Sequence, residues 1–156
     1  MEKQTLCELL TPDTIRVGVD AQDWKEVVDK AGELLLETGA IEPYYIGAMK
    51  ETIEELGAYV VIAPGIALLH SRPEEGVNRI CMSLVMLNPP VEFGHPDNDP
   101  VDLAFALGGV DERSHLDALS QLAETLSNEK LVERLRQAES PEEAAAVFCE
   151  WTGAQG

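Results

Sequence analysis

One of the chain's three histidines is placed where it could act as a nucleophile. His70 ends the apolar run Ile66 to Leu69, and Arg72 follows two residues later. Because residues i and i+2 of an extended segment face the same way, we expect His70 and Arg72 to project together, with Ser71 on the opposite face. A neutral imidazole can attack phosphorus and a guanidinium can hold phosphate oxygens, so the pair suits a transient phosphohistidine. On spacing alone, a strand-end histidine beside an unrelated arginine is the commoner case.

A second histidine falls at the start of a predicted helix. His115 follows Asp111 in what should be the first helical turn. The positive end of a helix disfavours the imidazolium and attracts an anion. A neutral His115 beside His70 could therefore donate a hydrogen bond to a phosphoryl oxygen, although an exposed helix-start histidine is the commoner case when this residue is taken by itself. The third histidine, His95, lies in a polar, turn-rich loop and is expected to be solvated.

Composition excludes several other functions. Asp and Glu total 29 against 11 Lys and Arg, a net charge of −18 and a pI near 4.3. This charge argues against nucleic acid and anionic membranes as partners. No stretch reaches the ~18 apolar residues of a membrane helix, and the first residues lack a secretory pattern, so we expect a cytoplasmic protein without direct membrane insertion. Phosphate-loop, dinucleotide, zinc-protease and nucleophile-elbow motifs are missing, and no cofactor or metal is predicted.

The three cysteines are far apart in the sequence. Cys7, Cys81 and Cys149 form no C-x-x-C pair. Neither a zinc site nor a disulfide framework is therefore indicated. Cys81 lies in a strongly apolar run and is expected to be a buried small hydrophobe.

The hydrophobic periodicity predicts one α/β domain over residues 1–156, with a mixed central sheet and helices on both faces. Asp20 is expected to cap the first long helix, which ends at Gly39, and Pro89-Pro90 to break the longest strand. The tail 151–156 is expected to fray. The predicted strands are 14–19, 58–62, 66–69, 80–87 and 101–107, and the predicted helices run from Asp20 to Gly39, over 44–56 and in three segments from Asp111 to Glu150.

Three segments resemble the IIA component of the bacterial phosphoenolpyruvate-dependent sugar phosphotransferase system. The subfamily is the mannitol, fructose and ascorbate type, with Gly57 to Gly65 most similar to the ascorbate branch. Leu69 and Ser71 depart from the Pro and Ala that are common at these positions in the family. The first matching segment is Pro64-Gly65-Ile66-Ala67-Leu68-Leu69-His70-Ser71-Arg72. The second is Pro90-Val91-Glu92-Phe93-Gly94 with Pro100-Val101-Asp102-Leu103 and Ala106-Leu107, and the third is Ser114-His115-Leu116-Asp117-Ala118-Leu119-Ser120-Gln121-Leu122-Ala123.

The resemblance implies a phosphotransferase that works through a phosphohistidine. His70 would accept a phosphoryl group from the phosphocarrier protein HPr and pass it to a cysteine of a IIB component, which serves a membrane IIC component during sugar uptake. The resemblance assigns His70 as the nucleophile, His115 as the supporting hydrogen-bond donor and Arg72 as a phosphate clamp. It implies no cofactor, because the phosphoryl donor is itself a phosphohistidine.

Two other functions remain open on the sequence. In one, the same fold and histidine form a regulatory module, whose phosphorylation state is read by a protein partner without feeding sugar transport. In the other, the chain is an interaction domain with a vestigial histidine. The sequence does not indicate which sugar is transported. It is compatible with a homodimer.

Overall fold

The computed structural model describes residues 5–72 and 76–155, except for the side chains of Ala58 and residues 151–155. Its centre is a five-stranded sheet with the strand order β1-β4-β5-β3-β2. The strands are β1 (Ile15–Val19), β2 (Val61–Ala63), β3 (Ile66–His70), β4 (Cys81–Val91) and β5 (Val101–Gly108). The helices are α1 (Leu6–Leu9), α2 (Trp24–Glu37), α3 (Pro43–Leu56), α4 (Glu112–Leu126), α5 (Glu129–Arg136) and α6 (Pro141–Gln155).

The sheet mixes parallel and antiparallel pairs. β3 runs parallel to β5, and β1 runs parallel to β4, whereas β4–β5 and β2–β3 are antiparallel. The β3–β5 register places His70 opposite Leu107. The end of β3 and the end of β5 therefore meet at the same edge of the sheet, where β5 leads into α4.

Side chains of the central strands alternate between two cores, as a period of two requires. Ala67 and Leu69 of β3 face the core formed with α2 and α3, whereas Ile66 and Leu68 face the core formed with α1, α4, α5 and α6. The sandwich with helices on both faces, predicted from the sequence, is confirmed. Cys81 to Leu87 is buried throughout, as expected for a strand covered on both faces.

Several predicted boundaries were wrong. Asp23, and not Asp20, caps α2, because its carboxylate accepts a hydrogen bond from the backbone N–H of Glu26. Both aspartates can cap a helix, but only Asp23 directly precedes the helical run. The last helix was predicted to end at Glu150, whereas the backbone of α6 continues to Gln155; the fraying expected of residues 151–156 stays a prediction.

Two strand predictions also need correction. The segment Gly57–Val60 is a 3₁₀ turn, and only Val61–Ala63 forms β2, because a short apolar run does not by itself distinguish a strand from a buried turn. Pro89 and Pro90 do not end β4. Both prolines are exposed at an irregularity in the ladder, where no N–H is required, and pairing resumes between Val91 and Val101.

The structure corrects the cysteine prediction. Cys7 of α1 and Cys149 of α6 form a disulfide across a sequence separation of 142 residues. Spacing arguments cannot find such a pair, because the two helices meet only after the fold is complete. Cys81 is free and 6% exposed, which confirms its prediction as a buried residue. Burial raises the pKa of its thiol to about 12.

Within residues 5–72 and 76–155, no helix is long and apolar enough to cross a membrane.

Candidate functional site

His70 is the last residue of β3, and its ring is half-buried. The ring nitrogen Nδ1 lies 3.3 Å from the carbonyl oxygen of Leu68. A carbonyl can only accept a hydrogen bond, so this contact requires the proton to be on Nδ1. The lone pair of the neutral ring is then on Nε2, and Nε2 is the nitrogen available as a nucleophile.

α4 brings the second histidine to the same place. Asp111 caps the helix in a reciprocal pair with Ser114, and His115 follows in the first turn, as the sequence predicted. The ring centroids of His70 and His115 are 5.5 Å apart, with an angle of 50° between the rings. The two histidines predicted to act together are therefore neighbours.

The surroundings favour the neutral form of both imidazoles. Burial lowers the pKa of His70 from 6.5, against a smaller opposing effect of the Leu68 carbonyl. Burial also lowers the pKa of His115, the neighbouring His70 lowers it further, and the Glu112 carboxylate opposes both. Nδ1 of His115 is buried and has no hydrogen-bond partner among the described residues. The site therefore brings together two imidazoles whose neutral forms are favoured, and His115 has unused hydrogen-bonding capacity.

Contacts support part of the predicted alternation after β3. Ser71 lies on the face opposite His70, because its hydroxyl contacts Thr52 of α3, whereas the His70 ring contacts His115 of α4. Arg72 is exposed and has no hydrogen bond or ion pair with another described residue. The structure therefore does not fix the direction of its guanidinium, and its joint projection with His70 stays a prediction.

His95 takes no part in the histidine pair. Its Nδ1 accepts hydrogen bonds from the backbone N–H groups of Asp97 and Asn98, at 3.0 and 2.9 Å. The residue is half-buried, so it is partly solvated and it also organises its own loop.

Two positioning features were not found from the sequence. Gly109 lies between β5 and α4, and a Cβ added there would come within 2.6 Å of Cα of His115. Tyr45 of α3 is fully buried, and its hydroxyl reaches the backbone of both Ser71 and Leu107. The Gly108-Gly109 pair was a signal of close approach, whereas Tyr45 could not be told from an ordinary core residue.

A family model described as the phosphoenolpyruvate-dependent sugar phosphotransferase system, EIIA 2, matches residues 8–150. The chain belongs to that family. It is a phosphotransferase-system component with a phosphocarrier role in sugar transport.

Known proteins agree with this assignment. The chain is 39% identical over 131 residues to the ascorbate-specific PTS system EIIA component of Escherichia coli K12, covering 83% of this chain and 85% of the relative. The solution structure of the mannitol-specific cryptic phosphotransferase enzyme IIA CmtB from E. coli has a TM-score of 0.84, 33% identity, and covers 94% of this chain and 99% of that protein. A complex of the E. coli mannitol IIA with phosphorylated IIB has a TM-score of 0.77 at 24% identity, with 88% and 95% covered, and shows the same fold.

Proposed function

We propose that His70 accepts a phosphoryl group from phospho-HPr on Nε2 and passes it to a cysteine of a IIB component. The observation that carries this proposal is the contact between Nδ1 of His70 and the Leu68 carbonyl, which leaves Nε2 as the free nucleophile. In the first step, the P–N bond of the donor histidine breaks as the P–N bond to His70 forms. In the second, that bond breaks as a P–S bond forms on the IIB cysteine. Positioning and charge stabilisation are the protein's contribution.

His115 supports the phosphorylated state in this proposal. Its ring lies beside His70, and its buried Nδ1 lacks a partner among the described residues. A phosphoryl oxygen on His70 would accept a hydrogen bond from the neutral His115 imidazole. Because an unpaired buried polar atom costs about 1–3 kcal/mol, pairing it on phosphorylation would favour the phosphorylated form.

Arg72 is the proposed phosphate clamp. Its guanidinium is uncommitted among the described residues and is only two positions after the nucleophile. A guanidinium that swings toward the phosphoryl oxygens could bind two of them at once. Its role would begin with the arrival of the phosphoryl group.

The surface beside the histidines suits protein partners that bind briefly. Val110 and Leu116, on either side of the first turn of α4, are exposed apolar side chains at 44% and 53%. The net charge of −18 favours fast encounter with a basic partner face. The mannitol IIA neighbour is a complex with phosphorylated IIB, which supports a IIB partner here, and the E. coli relative makes an ascorbate-type IIB the first to test.

In this proposal, the chain works in the cytoplasm as a single domain over residues 1–156 and serves a membrane IIC component through IIB.

The proposal is tested by incubating the protein with phosphoenolpyruvate, enzyme I and HPr, and reading the intact mass. We expect one acid-labile phosphoryl group on the wild type and on His95→Ala, and none on His70→Ala. His95→Ala is the matched control because His95 lies outside the pair. An unphosphorylated wild type, with a known IIA protein labelled in parallel, would refute the carrier function.

Transport and regulation are separated by the second step. Phosphorylated protein is mixed with an ascorbate-type IIB, and both masses are followed. Loss of the phosphoryl group to IIB supports transport, whereas a stable phosphoprotein that IIB does not discharge would favour the regulatory module.

A further inference from the structure

The Tyr45 hydroxyl joins α3 to the backbone at the nucleophile. It accepts a hydrogen bond from the N–H of Ser71 at 3.0 Å and donates one to the carbonyl oxygen of Leu107 at 2.7 Å. Ser71 directly follows His70, and Leu107 is the residue of β5 opposite His70. The phenol oxygen of Tyr45 thus links the end of β3 to the neighbouring strand β5.

This contact fixes the peptide link of the nucleophile. The Ser71 nitrogen is bonded to the carbonyl carbon of His70, so holding its N–H in one direction fixes the ψ angle of His70. The β3 ladder ends at His70, and the buried Ser71 N–H would otherwise need another partner. Tyr45 supplies that partner in place of a further strand residue.

A second hydroxyl contact strengthens the same point. Thr52, two turns along α3 from Tyr45, lies 3.1 Å from the Ser71 hydroxyl, and the Thr52 hydroxyl is 3.0 Å from the Ala48 carbonyl. The two hydroxyls can form a chain of hydrogen bonds, in which the Ser71 hydroxyl donates to the Thr52 hydroxyl and the Thr52 hydroxyl donates to the Ala48 carbonyl. Ser71 is therefore bound to α3 through both its backbone and its side chain.

Packing alone does not explain a tyrosine here. A phenylalanine would fill the same apolar volume without burying a hydroxyl, which is costly unless it is hydrogen-bonded. Tyr45 is fully buried, and all three contacts of its hydroxyl go to the backbone at His70: the Ser71 N–H, the Leu107 carbonyl and, at 3.3 Å, the Ser71 carbonyl.

We propose that Tyr45 is a positioning residue for phosphoryl transfer, holding His70 in its reactive orientation through the Ser71 N–H and the Leu107 carbonyl. This inference rests on the proposed function, because orientation matters only if His70 takes the phosphoryl group. Misplacing a reacting group by about 1 Å can lower a rate as much as 100-fold, so a lost anchor should be visible in transfer.

The test compares Tyr45→Phe with Thr14→Val, both of which remove a buried hydroxyl while nearly preserving shape. Thr14 is the matched control because its hydroxyl also bonds to backbone carbonyls, and it leads into β1, which β4 and β5 separate from β3. Urea unfolding first establishes that both variants are folded under assay conditions. Two quantities are then measured: the rate of phosphoryl acceptance from phospho-HPr, and amide hydrogen exchange at Ser71 by NMR.

For Tyr45→Phe, we expect the transfer rate to fall by about tenfold or more and exchange at Ser71 to quicken, with both changes absent from Thr14→Val. A merely structural hydroxyl would leave the rates of the two folded variants alike, and that result would overturn the inference alone. A wild type that takes no phosphoryl group overturns the proposed function and, with it, any positioning role in transfer. The two failures are therefore distinguishable.

Discussion

Gly109 lies against the backbone of His115, so closely that an added Cβ would be 2.6 Å from both Cα and Cβ of that histidine. The contact joins the end of β5 to the first turn of α4. His70 is paired with Leu107 of β5, and His115 lies on α4. The distance between the two imidazoles therefore depends on how closely α4 packs against the end of β5. Only a residue without a side chain permits it.

Gly109→Ala should therefore displace α4 and separate the histidines. We expect a loss of about 1–3 kcal/mol in the free energy of unfolding, as for other overpacked sites, and slower phosphoryl acceptance. Gly47→Ala is the control, because Gly47 is an exposed residue of α3 with open space around its Cα. Urea unfolding and a quenched-flow transfer assay on both variants check this, and an unchanged rate in Gly109→Ala would show that the contact does not set the geometry.

The titration of the two histidines is the next prediction. Burial lowers the pKa of both His70 and His115 from 6.5, so the folded protein takes up their protons at lower pH than the unfolded chain. Well above pH 6.5 the histidines are neutral in both the folded and the unfolded state, and they cause no pH dependence of stability. As the pH falls from 6.5 toward the folded pKa, the unfolded state gains protons first, and the free energy of unfolding must decrease.

Nitrogen-detected NMR of the histidine rings measures these midpoints directly. Both should lie below 6.5. As the pH falls from 6.5 to the folded-state midpoint, the free energy of unfolding should decrease less in His70→Gln than in the wild type. A midpoint above 6.5 for His70 would mean that a charged partner, and not burial, dominates the ring's surroundings.

Reducing the Cys7–Cys149 disulfide should weaken the fold and leave the site intact. The bond closes nearly the whole chain, with a sequence separation of 142, and the entropy of such a loop gives about 4–5 kcal/mol at most. We expect a lower urea midpoint for the reduced protein and for Cys7→Ser, with the phosphoryl-transfer rate within about twofold of the oxidised protein while both are folded. Maleimide labelling counts the free thiols, and buried Cys81 should react only after unfolding. A reduced protein that is still folded but transfers the phosphoryl group much more slowly would show that the disulfide also positions the site.

Salt should slow the encounter with partners. The net charge of −18 attracts a basic partner face over a distance that shrinks from roughly 10 Å at 0.1 M salt to roughly 3 Å at 1 M. The second-order rate of phosphoryl acceptance from HPr is therefore expected to fall as sodium chloride is raised. A rate that is invariant from low to high salt would remove electrostatic steering from the account.

The sequence predicted what depends on local pattern. The apolar run Ile66 to Leu69 was sufficient to predict a strand that ends at His70. The helical spacing after Asp111 was sufficient to place His115 in a first turn. Boundaries were missed where two residues had equal chemistry, as at Asp20 and Asp23.

Features that depend on the assembled fold were not predictable from one sequence. The Cys7–Cys149 bond joins helices at the two ends of the chain. The hydroxyl of Tyr45 meets Leu107, 62 residues away, only because α3 packs on the sheet edge where β3 and β5 end. Neither contact produces a periodicity or a spacing pattern in the sequence, because each of these residues taken alone looks like an ordinary core or surface residue.

The most direct test of the central claim is to locate the phosphoryl group by atom. Protein with nitrogen-15-labelled histidine is phosphorylated by phosphoenolpyruvate, enzyme I and HPr, and phosphorus and nitrogen NMR identify the bonded nitrogen. The contact of Nδ1 with the Leu68 carbonyl predicts phosphorylation of Nε2 of His70. A phosphoryl group on Nδ1 of His70, or on His115 or His95, would contradict the account.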